Sequence, residues 1–488
     1  MTQSLVDNTP VLVGIGCVTQ RSDDPQQLVE PIDLMIRATK KAGADCGVSA
    51  ALARVERIAV PRGRWSYRNP AAEIGRAIDA ENSISVLSNV GVLQQSLIAD
   101  ACERIAHGEI NSAVVTGADA GYRLLRSRFA GVEATERQQH NDPDVELNPA
   151  ADLRHPAERA AGLEMPVGLY ALLDSASRAR AGRSVAEHRD HLASTYARFS
   201  EIAAQNPHAW SRETRTKTSI RDAGPDNPMQ AFPYTRAHCS SWNVDQAAAL
   251  LFCSAARATE LGIDRARWIF PLVSAESNHM TPVSARADLS CCRGAVETSR
   301  AALKAVGMKA SDIDLFELYS CFPVAVDMFA EALGVPADRD LSVTGSMAFA
   351  GGPYNNYFLQ ATCRAAELLR SGRGTTALLS CVSGIMTKQA VVIWCAKPAR
   401  RFERLDLTDK VARDSDPIKV SENYSGVARI VGHTVLHTRD GAPRAVALLD
   451  TSEGRALASS ITKSIVESFE QDDWIGRSVE VRGGEFEA

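Results

Sequence analysis

A weak internal repeat constrains the fold of this chain more than any other feature of its sequence. Residues of one predicted helix and of the turn after it recur 264 positions later, and residues of an earlier helix recur at an offset of 263. The matching pairs are Glu103 and Glu367, Gly108 and Gly372, Arg37 and Arg300, and Lys41 and Lys304. Both regions alternate short apolar strands with helical patterns, which is typical of a layered α/β sheet. The sequence therefore predicts two related α/β halves that face each other.

Composition limits the possible functions. The chain has 488 residues, with 54 Lys+Arg against 59 Asp+Glu and a net charge of −5. That balance argues against a nucleic-acid footprint or attachment to an anionic membrane. No apolar stretch predicts a membrane span, and the N-terminus has no signal-peptide pattern. The 11 cysteines include no Cys-x-x-Cys pair, so we expect a reduced, cytoplasmic protein without a structural metal site.

The length allows about three domains of roughly 150 residues each. The spacing of apolar residues along the chain indicates where the boundaries between domains lie. From Arg123 to about Ala231 the spacing is mostly helical, which indicates an insertion in the first half. The last part of the chain alternates apolar and polar residues and predicts a small β module. Residues 404–488 contain 11 Lys+Arg and 15 Asp+Glu, and this acidic balance argues that the module does not bind oligonucleotides. The predicted domains are 1–122, 123–240, 241–403 and 404–488.

The repeat also pairs two helix beginnings. Residues 89–91 open one predicted helix, and adding 264 reaches residues 353–355, which open its counterpart. Helix N-termini present free N–H groups and partial positive charge, which stabilise thiolates and oxyanions. If the halves face each other, both helix ends can meet in one pocket. The candidate substrate-binding residues there are Asn89, Gly91, Gly352, Tyr354 and Asn355.

Four segments carry a resemblance to a known family. They are Leu315-Phe-Glu-Leu-Tyr-Ser-Cys-Phe-Pro323, Gly345-Ser-Met-Ala-Phe-Ala-Gly-Gly-Pro353, Ser380-Cys-Val-Ser-Gly384 and Tyr234-Thr-Arg-Ala-His-Cys-Ser-Ser-Trp-Asn-Val-Asp-Gln246. With them, essentially the whole chain resembles the thiolase superfamily, in its sterol-carrier-protein-type branch. It is most similar to the actinobacterial thiolase-like proteins of type 1, which have an extra C-terminal β domain. The resemblance implies an α/β thiolase fold of two pseudo-duplicated βαβαβαββ halves with an inserted loop domain, and a small OB-like β module.

Carried over residue by residue, the family mechanism is only partly retained. The position of the nucleophilic cysteine is Gly91, and the Gly-His-Pro motif reads Gly351-Gly352-Pro353 without its histidine. Ordinary thiolysis should therefore be very weak. Tyr319 replaces the His or Asn that helps hold the thioester oxygen. Cys321 matches the acid/base cysteine of the sterol-carrier branch, and Cys381 matches that of ordinary thiolases. The catalytic candidates are therefore Tyr319, Cys321 and Cys381.

Each candidate also has a purely structural interpretation. The two cysteines could be small buried hydrophobic side chains, as free cysteines often are, and Tyr319 could be hydrogen bonded in the core. Residues 352–356 could be a tight loop before a helix. His279 lies in a polar loop and is a candidate substrate contact. His238 and Cys239 lack a second ligand pair, so no metal is expected.

Three functions remain open on the sequence. The first is a protein of the acetyl-CoA C-acyltransferase family that binds acyl-CoA but has altered thioester chemistry, one version being aldol or retro-aldol cleavage in lipid or sterol metabolism. The second is a non-catalytic acyl-CoA or lipid-binding protein. The third is an acetyltransferase that uses Cys321 or Cys381, although neither occupies the sequence position at the start of the helix. The expected ligand is a coenzyme A thioester, with no tightly bound cofactor, and the protein is either a monomer or a homodimer.

Overall fold

The structure is a computed structural model that describes residues 6–149, 154–398, 401–438 and 441–487. Strands and helices alternate from the N-terminus. They are β1 (Pro10–Thr19), α1 (Pro31–Cys46), β2 (Arg57–Pro61), α2 (Pro70–Ala77), β3 (Ile84–Ser88), α3 (Gln94–Ala106) and β4 (Ser112–Ala120). β2 and β4 are buried along their whole length, as expected for strands covered on both faces. α1 begins at Pro31 and ends before Gly47, whose φ of 79° is typical of a helix terminus.

A mostly helical region follows, as predicted for the insertion. Its elements are α4 (Gly121–Ala130), β5 (Val145–Leu147), α5 (Pro156–Ala160), α6 (Pro166–Arg180), α7 (Val185–Gln205), α8 (Lys217–Arg221), β6 (Met229–Ala231) and β7 (Tyr234–Thr235). α7 begins with a capping box, because Ser184 and Glu187 each accept the other's backbone N–H. β5 pairs in parallel with β3 and so covers the outer edge of that strand.

The chain then returns to alternating strands and helices. These are β8 (Asp245–Ser254), α9 (Ala255–Glu260), β9 (Phe270–Ser277), α10 (Arg293–Val306), β10 (Leu315–Glu317), α11 (Pro323–Leu333), α12 (Ser346–Phe349), α13 (Tyr357–Arg370), β11 (Thr376–Ser383), β12 (Lys388–Cys395) and β13 (Glu403–Asp406). Within the described ranges, no helix is long and apolar enough to cross a membrane.

The two main sheets have matching topologies. The first has the order β1-β8-β4-β2-β3-β5 and the second β10-β11-β12-β9-β13. Four strands of the first sheet, β1-β8-β4-β2, correspond to four strands of the second, β9-β12-β11-β10. In both runs the first two neighbouring pairs are antiparallel and the third pair is parallel. The predicted duplication is confirmed. α3 and α13 occupy equivalent places, and their N-terminal turns are in contact.

The C-terminal part forms a small closed barrel, which confirms the predicted β module. Its elements are α14 (Thr408–Arg413), β14 (Val420–Ser421), β15 (Gly426–Leu436), β16 (Arg444–Thr451), β17 (Gly454–Ser460), α15 (Lys463–Gln471), β18 (Ser478–Arg482) and β19 (Glu485–Glu487). The strands pair in the cycle β15-β16-β17-β19-β18-β15. Phe469 fills the barrel core. The barrel docks on α6, where the His433 N–H donates to Ser175 Oγ at 2.9 Å.

Candidate active site

The site lies where α3 and α13 begin, and Gln94 connects the two halves there. Its Oε1 accepts the backbone N–H of Phe358, the residue 264 positions later, at 2.8 Å. Its Nε2 is 3.3 Å from Asn355 Oδ1 and 3.5 Å from the hydroxyl oxygen of Tyr319. Gln94 thus joins two residues predicted from the sequence, Asn355 and Tyr319, in one buried polar cluster.

Tyr319 is held from several sides. Its backbone N–H donates to Ser380 Oγ at 2.9 Å, and its ring meets the Tyr357 ring edge to face with centroids 5.8 Å apart. The Tyr357 hydroxyl donates in turn to the buried Glu317 carboxylate at the end of β10. Burial raises the pKa of Tyr319 well above its ordinary value, and the neighbouring Cys381 and Cys321 raise it further. At neutral pH the Tyr319 hydroxyl therefore keeps its proton, and it accepts from Gln94.

Cys381 is fully buried near the end of β11, against the beginning of α3. Burial raises the pKa of its thiol to about 12, and the backbone N–H groups of Gln95 and Gln94 lower it by less. Cys381 lies on β11 and does not occupy the sequence position at the start of α3, but the fold places its thiol next to the first N–H groups of that helix.

Cys321 completes the group of predicted catalytic residues. Burial raises the pKa of the Cys321 thiol to about 12, and the neighbouring Tyr170 hydroxyl partly offsets this. The Tyr170 hydroxyl donates to the Gly384 carbonyl at 3.1 Å and accepts the Met386 N–H at 3.1 Å. The residue as a whole keeps some surface exposure, but its thiol is enclosed by protein. The structure thus brings Tyr319, Cys321 and Cys381 together in one enclosed group.

The backbone at Gly91 and Gly352 is closely approached by neighbouring side chains. Gly91 has a φ of 104°, and a Cβ there would lie 3.0 Å from the Cβ of Pro149. A Cβ on Gly352 would lie 2.0 Å from Ser240 Oγ. Neither a cysteine at 91 nor a histidine at 352 fits without moving these neighbours. The packing around positions 91 and 352 therefore favours glycine at both.

A buried lysine lies beside Gly91. Lys388 is only 2% exposed, and its Nζ donates to the Gly91 carbonyl at 2.5 Å. Burial lowers the pKa of Lys388 from its ordinary value. Lys388 is paired across the strands with Ser383, so it shares a sheet face with Cys381. This amine fixes the loop that opens α3.

Three of the predicted binding residues lie outside this group. The side-chain amide of Asn89 is bonded to Arg62, Glu146 and Asn148 near the surface. Tyr354 is exposed and has the Arg64 guanidinium 5.8 Å from its ring centroid. His279 lines a different cavity, where its Nε2 is 3.0 Å from Thr281 Oγ1. The structure places none of the three in contact with Tyr319, Cys321 or Cys381.

A cavity of about 630 Å³ lies on the side of the insertion, and its lining does not include Tyr319, Cys321 or Cys381. Its wall includes Cys239 and Ser240, and Ser240 is the residue that fills the space beside Gly352. Trp210 and Trp242 also line it, and the Arg21 guanidinium lies 4.7 Å from the Trp210 ring centroid. Four arginines and two carboxylates lie around this cavity, which we call the arginine cavity: Arg21, Arg212, Arg215, Arg236, Glu213 and Asp226. Across the described ranges, none of these four arginines forms an ion pair with a carboxylate.

Sequence reasoning did not identify Gln94, Tyr170, Lys388 or the arginine cavity. Gln94 could have been found, because its 264-residue partner is Phe358 at the start of the paired helix. The other features have no local motif, because the residues come together only in the fold. In the part of the chain that the structure describes, no group of three or more His, Cys, Asp or Glu side chains could hold a metal.

A scan against protein-family models finds no match, and a search of curated proteins finds none either. A search of solved structures does find matches. The chain is similar to a monomeric SCP2-thiolase-like protein type 1 from Mycobacterium smegmatis, with 25% identity, a TM-score of 0.82, and 99% of this chain and 100% of that chain covered. An Ltp2–ChsH2(DUF35) aldolase has 16% identity, a TM-score of 0.59, and coverage of 81% and 100%. Human mitochondrial 3-ketoacyl-CoA thiolase in complex with CoA has 15% identity, a TM-score of 0.57, and coverage of 81% and 100%.

The fold and the arrangement of the two halves are those of the thiolase superfamily. The similarity to the SCP2-thiolase-like protein extends through the C-terminal barrel. Both findings confirm the resemblance drawn from the four sequence segments. The aldolase and the human thiolase support the fold alone, because their identity to this chain is low.

Proposed function

We propose that the protein binds a coenzyme A thioester, with the phosphates of CoA in the arginine cavity and the thioester next to Gln94. The observation that carries the proposal is the group of four arginines in the arginine cavity. None of them forms an ion pair with a carboxylate in the described ranges. Arginines without carboxylate partners are suited to phosphate, which they bind through charge-assisted hydrogen bonds. Trp210 and Trp242 offer faces on which a nucleobase can stack. The human thiolase that shares the fold is described in complex with CoA.

Asn355 supports the position of the thioester. Its Nδ2 is buried and has no hydrogen-bond acceptor in the described chain, while its Oδ1 accepts from Gln94. A buried donor without a partner is costly, so an acceptor from a ligand would satisfy it. We propose that Asn355 Nδ2 and the Tyr319 hydroxyl donate to the thioester oxygen. Donors held in place before the substrate arrives are those that stabilise an enolate oxyanion.

We propose aldol or retro-aldol chemistry on a β-hydroxyacyl thioester of lipid or sterol origin. In cleavage, the Cα–Cβ bond breaks and its electrons form the enolate of the thioester. The β-hydroxyl group loses its proton to solvent water as the bond breaks and becomes a ketone or aldehyde. The Cys321 thiol then gives its proton to Cα, and the thiolate takes a proton from the solvent. No nucleophile at position 91 is needed for this sequence. The Ltp2–ChsH2(DUF35) complex with the same fold is described as an aldolase.

The test of this reaction is a turnover assay with β-hydroxyacyl-CoA substrates that follows release of the carbonyl product. Tyr319→Phe should lower kcat by about a hundredfold to a thousandfold, because it removes one oxyanion donor. The matched control is Tyr424→Phe in the C-terminal barrel, whose hydroxyl donates to the Val427 carbonyl far from the site. If Tyr319→Phe has the same activity as wild type, Tyr319 has no role in the reaction.

Binding is tested separately by calorimetric titration with CoA and with acyl-CoA. Arg215→Gln combined with Arg236→Gln should weaken CoA binding by tenfold or more, because charge-assisted hydrogen bonds contribute about 1.5–3 kcal/mol each. The control is Arg477→Gln, which removes an arginine packed on Trp474 in the barrel. If neither CoA nor acyl-CoA binds wild-type protein, the proposal is wrong.

Two alternatives remain, each with its own supporting observation. The enclosed thiols, with pKa values raised to about 12, support a non-catalytic acyl-CoA or lipid-binding protein, which would bind without turnover. The position of Cys381 at the start of α3 supports an acetyltransferase that uses Cys381 or Cys321. Mass spectrometry after incubation with acetyl-CoA separates the two, because only an acetyltransferase gives an adduct on a cysteine.

We further propose that the protein is a monomer. The short strand β5 lies along β3 at one edge of the first sheet, where an uncovered strand could pair with a second chain. The similar protein from M. smegmatis is described as monomeric. Light scattering coupled to size exclusion should give a mass near 52.5 kDa. Twice this value would indicate a homodimer.

A further inference from the structure

A second cavity, of about 280 Å³, lies in the C-terminal half and is separate from the candidate active site. It is bounded by the beginning of α10, by the hairpin that joins β11 to β12, and by the segment after α14. Met386 lines it, and the Met386 N–H donates to the Tyr170 hydroxyl, which is hydrogen bonded to Cys321. One layer of protein therefore divides this cavity from the thiol group. We call it the Arg286 cavity.

Arg286 lines this cavity, and the nearby carboxylate that acts on it is the buried Glu158, which raises its pKa without an ion pair in the described ranges. The Arg286 Nε donates to the Thr281 carbonyl at 3.3 Å, and one Nη donates to the Ile385 carbonyl. In the ranges that the structure describes, no carboxylate lies within ion-pair distance of it. Arg286 is partly buried, and this burial lowers its pKa more than Glu158 raises it. A partly buried cation whose hydrogen-bond partners are neutral carbonyls is poorly compensated. A bound anion would compensate it.

The start of α10 adds to the positive potential of the same cavity. Cys292 precedes the 14-residue helix and makes no side-chain capping hydrogen bond. Arg293 and Gly294 both line the cavity, and the first N–H groups of a helix have no intrahelical acceptor. Cys292 Sγ lies beside the N–H groups of Ala295 and Gly294, and it donates to the Met386 carbonyl at 3.7 Å.

The other charged groups around the cavity are paired or lie at its mouth. Arg293 is paired with Asp414 at 2.7 Å and with Glu297 at 3.1 Å. Asp288 and Asp416 are exposed. Burial lowers the pKa of His279, so this side chain is neutral at physiological pH. Arg286 thus lacks an ion pair in the described ranges, while Asp288 and Asp416 are exposed and Glu158 is buried nearby. This balance of charges suits one negative charge on a ligand better than the two of phosphate.

We propose that the Arg286 cavity binds a small monocarboxylate, with its carboxylate on Arg286 and its other end beside the Cys292 thiol. The volume is at the low end of the range for small-molecule sites, which is roughly 300–1,000 Å³. The site is independent of the CoA site, because its lining residues belong to different segments. A ligand here would contact the chain that leads from the second half into the barrel.

The test uses two alkylating reagents that differ in charge. Iodoacetate carries a carboxylate and iodoacetamide does not. With either reagent the Cys292 sulfur forms a bond to the methylene carbon, the C–I bond breaks, iodide leaves with the bonding electrons, and the thiol proton passes to the buffer. Rates at Cys292 are measured in the full chain by peptide mass spectrometry. The iodoacetate-to-iodoacetamide rate ratio should exceed that of glutathione in the same buffer by tenfold or more.

Two variants make the test specific. Arg286→Gln should return the ratio to that of glutathione and leave the iodoacetamide rate within about threefold. The matched control Arg293→Gln removes a paired arginine of the same cavity and should keep the high ratio. Acetate should slow the reaction of wild-type Cys292 with iodoacetamide more than phosphate does at equal ionic strength. The proposal is overturned by a ratio equal to that of glutathione, by an unchanged ratio in Arg286→Gln, or by a Cys292 that neither reagent reaches.

Discussion

Ser240 explains why position 352 is glycine, and this can be tested with a double-mutant cycle. Gly352 has an ordinary backbone conformation, so alanine there causes no backbone strain. Its Cβ would lie 2.0 Å from Ser240 Oγ and 3.3 Å from Met347 Cε. Gly352→Ala should therefore destabilise the protein through crowding alone. The same change in a Ser240→Ala background should be tolerated, because the Ser240 Cβ would be at 3.4 Å.

The expected size follows from measured costs of overpacking. Crowding of this kind costs about 1–3 kcal/mol. Unfolding entropy of about 2.1 cal/mol/K per residue gives roughly 1 kcal/mol/K for a chain of 488 residues. Gly352→Ala should thus lower Tm by about 1–3 °C if the chain unfolds as one unit, and by more if the second half unfolds alone. Ser240→Ala alone should change stability by no more than about 0.5 kcal/mol.

Scanning calorimetry at a fixed scan rate measures all four proteins of the cycle. The double variant should recover most of the loss, which gives a coupling energy of about 1–2 kcal/mol. Gly224→Ala is the matched control, because a Cβ there meets nothing within 4 Å and the backbone is again ordinary. Equal losses from Gly352→Ala in both backgrounds would refute the reasoning. In that case Ser240 would not be what prevents a histidine at 352.

Three further predictions concern single residues. Burial lowers the pKa of Lys388 in the folded protein, whereas in the unfolded chain this pKa is about 10.4. Between the two pKa values, Lys388 therefore holds its proton more fully in the unfolded chain than in the folded protein. The stability of wild type relative to Lys388→Met should therefore rise as pH increases from 7 towards 10, and a constant difference in Tm would contradict this. With a pKa of about 12, about one Cys381 side chain in 10⁴ is a thiolate at pH 8. Iodoacetamide should therefore modify Cys381 at least about a hundredfold more slowly than an exposed cysteine, which mass spectrometry can follow. Phe469→Ala should cost about 3–5 kcal/mol and unfold the barrel first, seen as a separate low-temperature transition in calorimetry.

The duplicated architecture could be predicted because it depends on spacing. Equivalent helices and strands keep a nearly constant offset along the chain, whatever their individual side chains. The structure confirms this down to Gln94 and Phe358, which are 264 positions apart and hydrogen bonded to each other. The position of Tyr319 next to the two cysteines was expected from the family motifs, and the structure places the three together.

The remaining site features depend on tertiary contacts that no local pattern reports. Pro149 closes the space at Gly91, although 58 positions separate them in the sequence. The helix predicted to open at residues 89–91 begins at Gln94, and the Asn89 side chain points to Arg62 and Glu146 instead of the thiols. A sequence can place a polar residue near a helix end. Which way its side chain points is decided by neighbours from other segments.

The high pKa values of the Cys381 and Cys321 thiols favour a reaction in which a thiol donates a proton over one that begins with attack by a thiolate. A reaction that begins with thiolate attack needs a thiol that ionises readily, as it does at an exposed helix N-terminus. Here burial outweighs the helix N–H groups, and the Cys381 and Cys321 thiols remain protonated at neutral pH. A protonated thiol can instead give its proton to a carbanion, because an enolate carbon is far more basic. With donors for the thioester oxygen at Asn355 and Tyr319, these groups fit a reaction whose last chemical event is protonation of carbon, as in cleavage of a C–C bond.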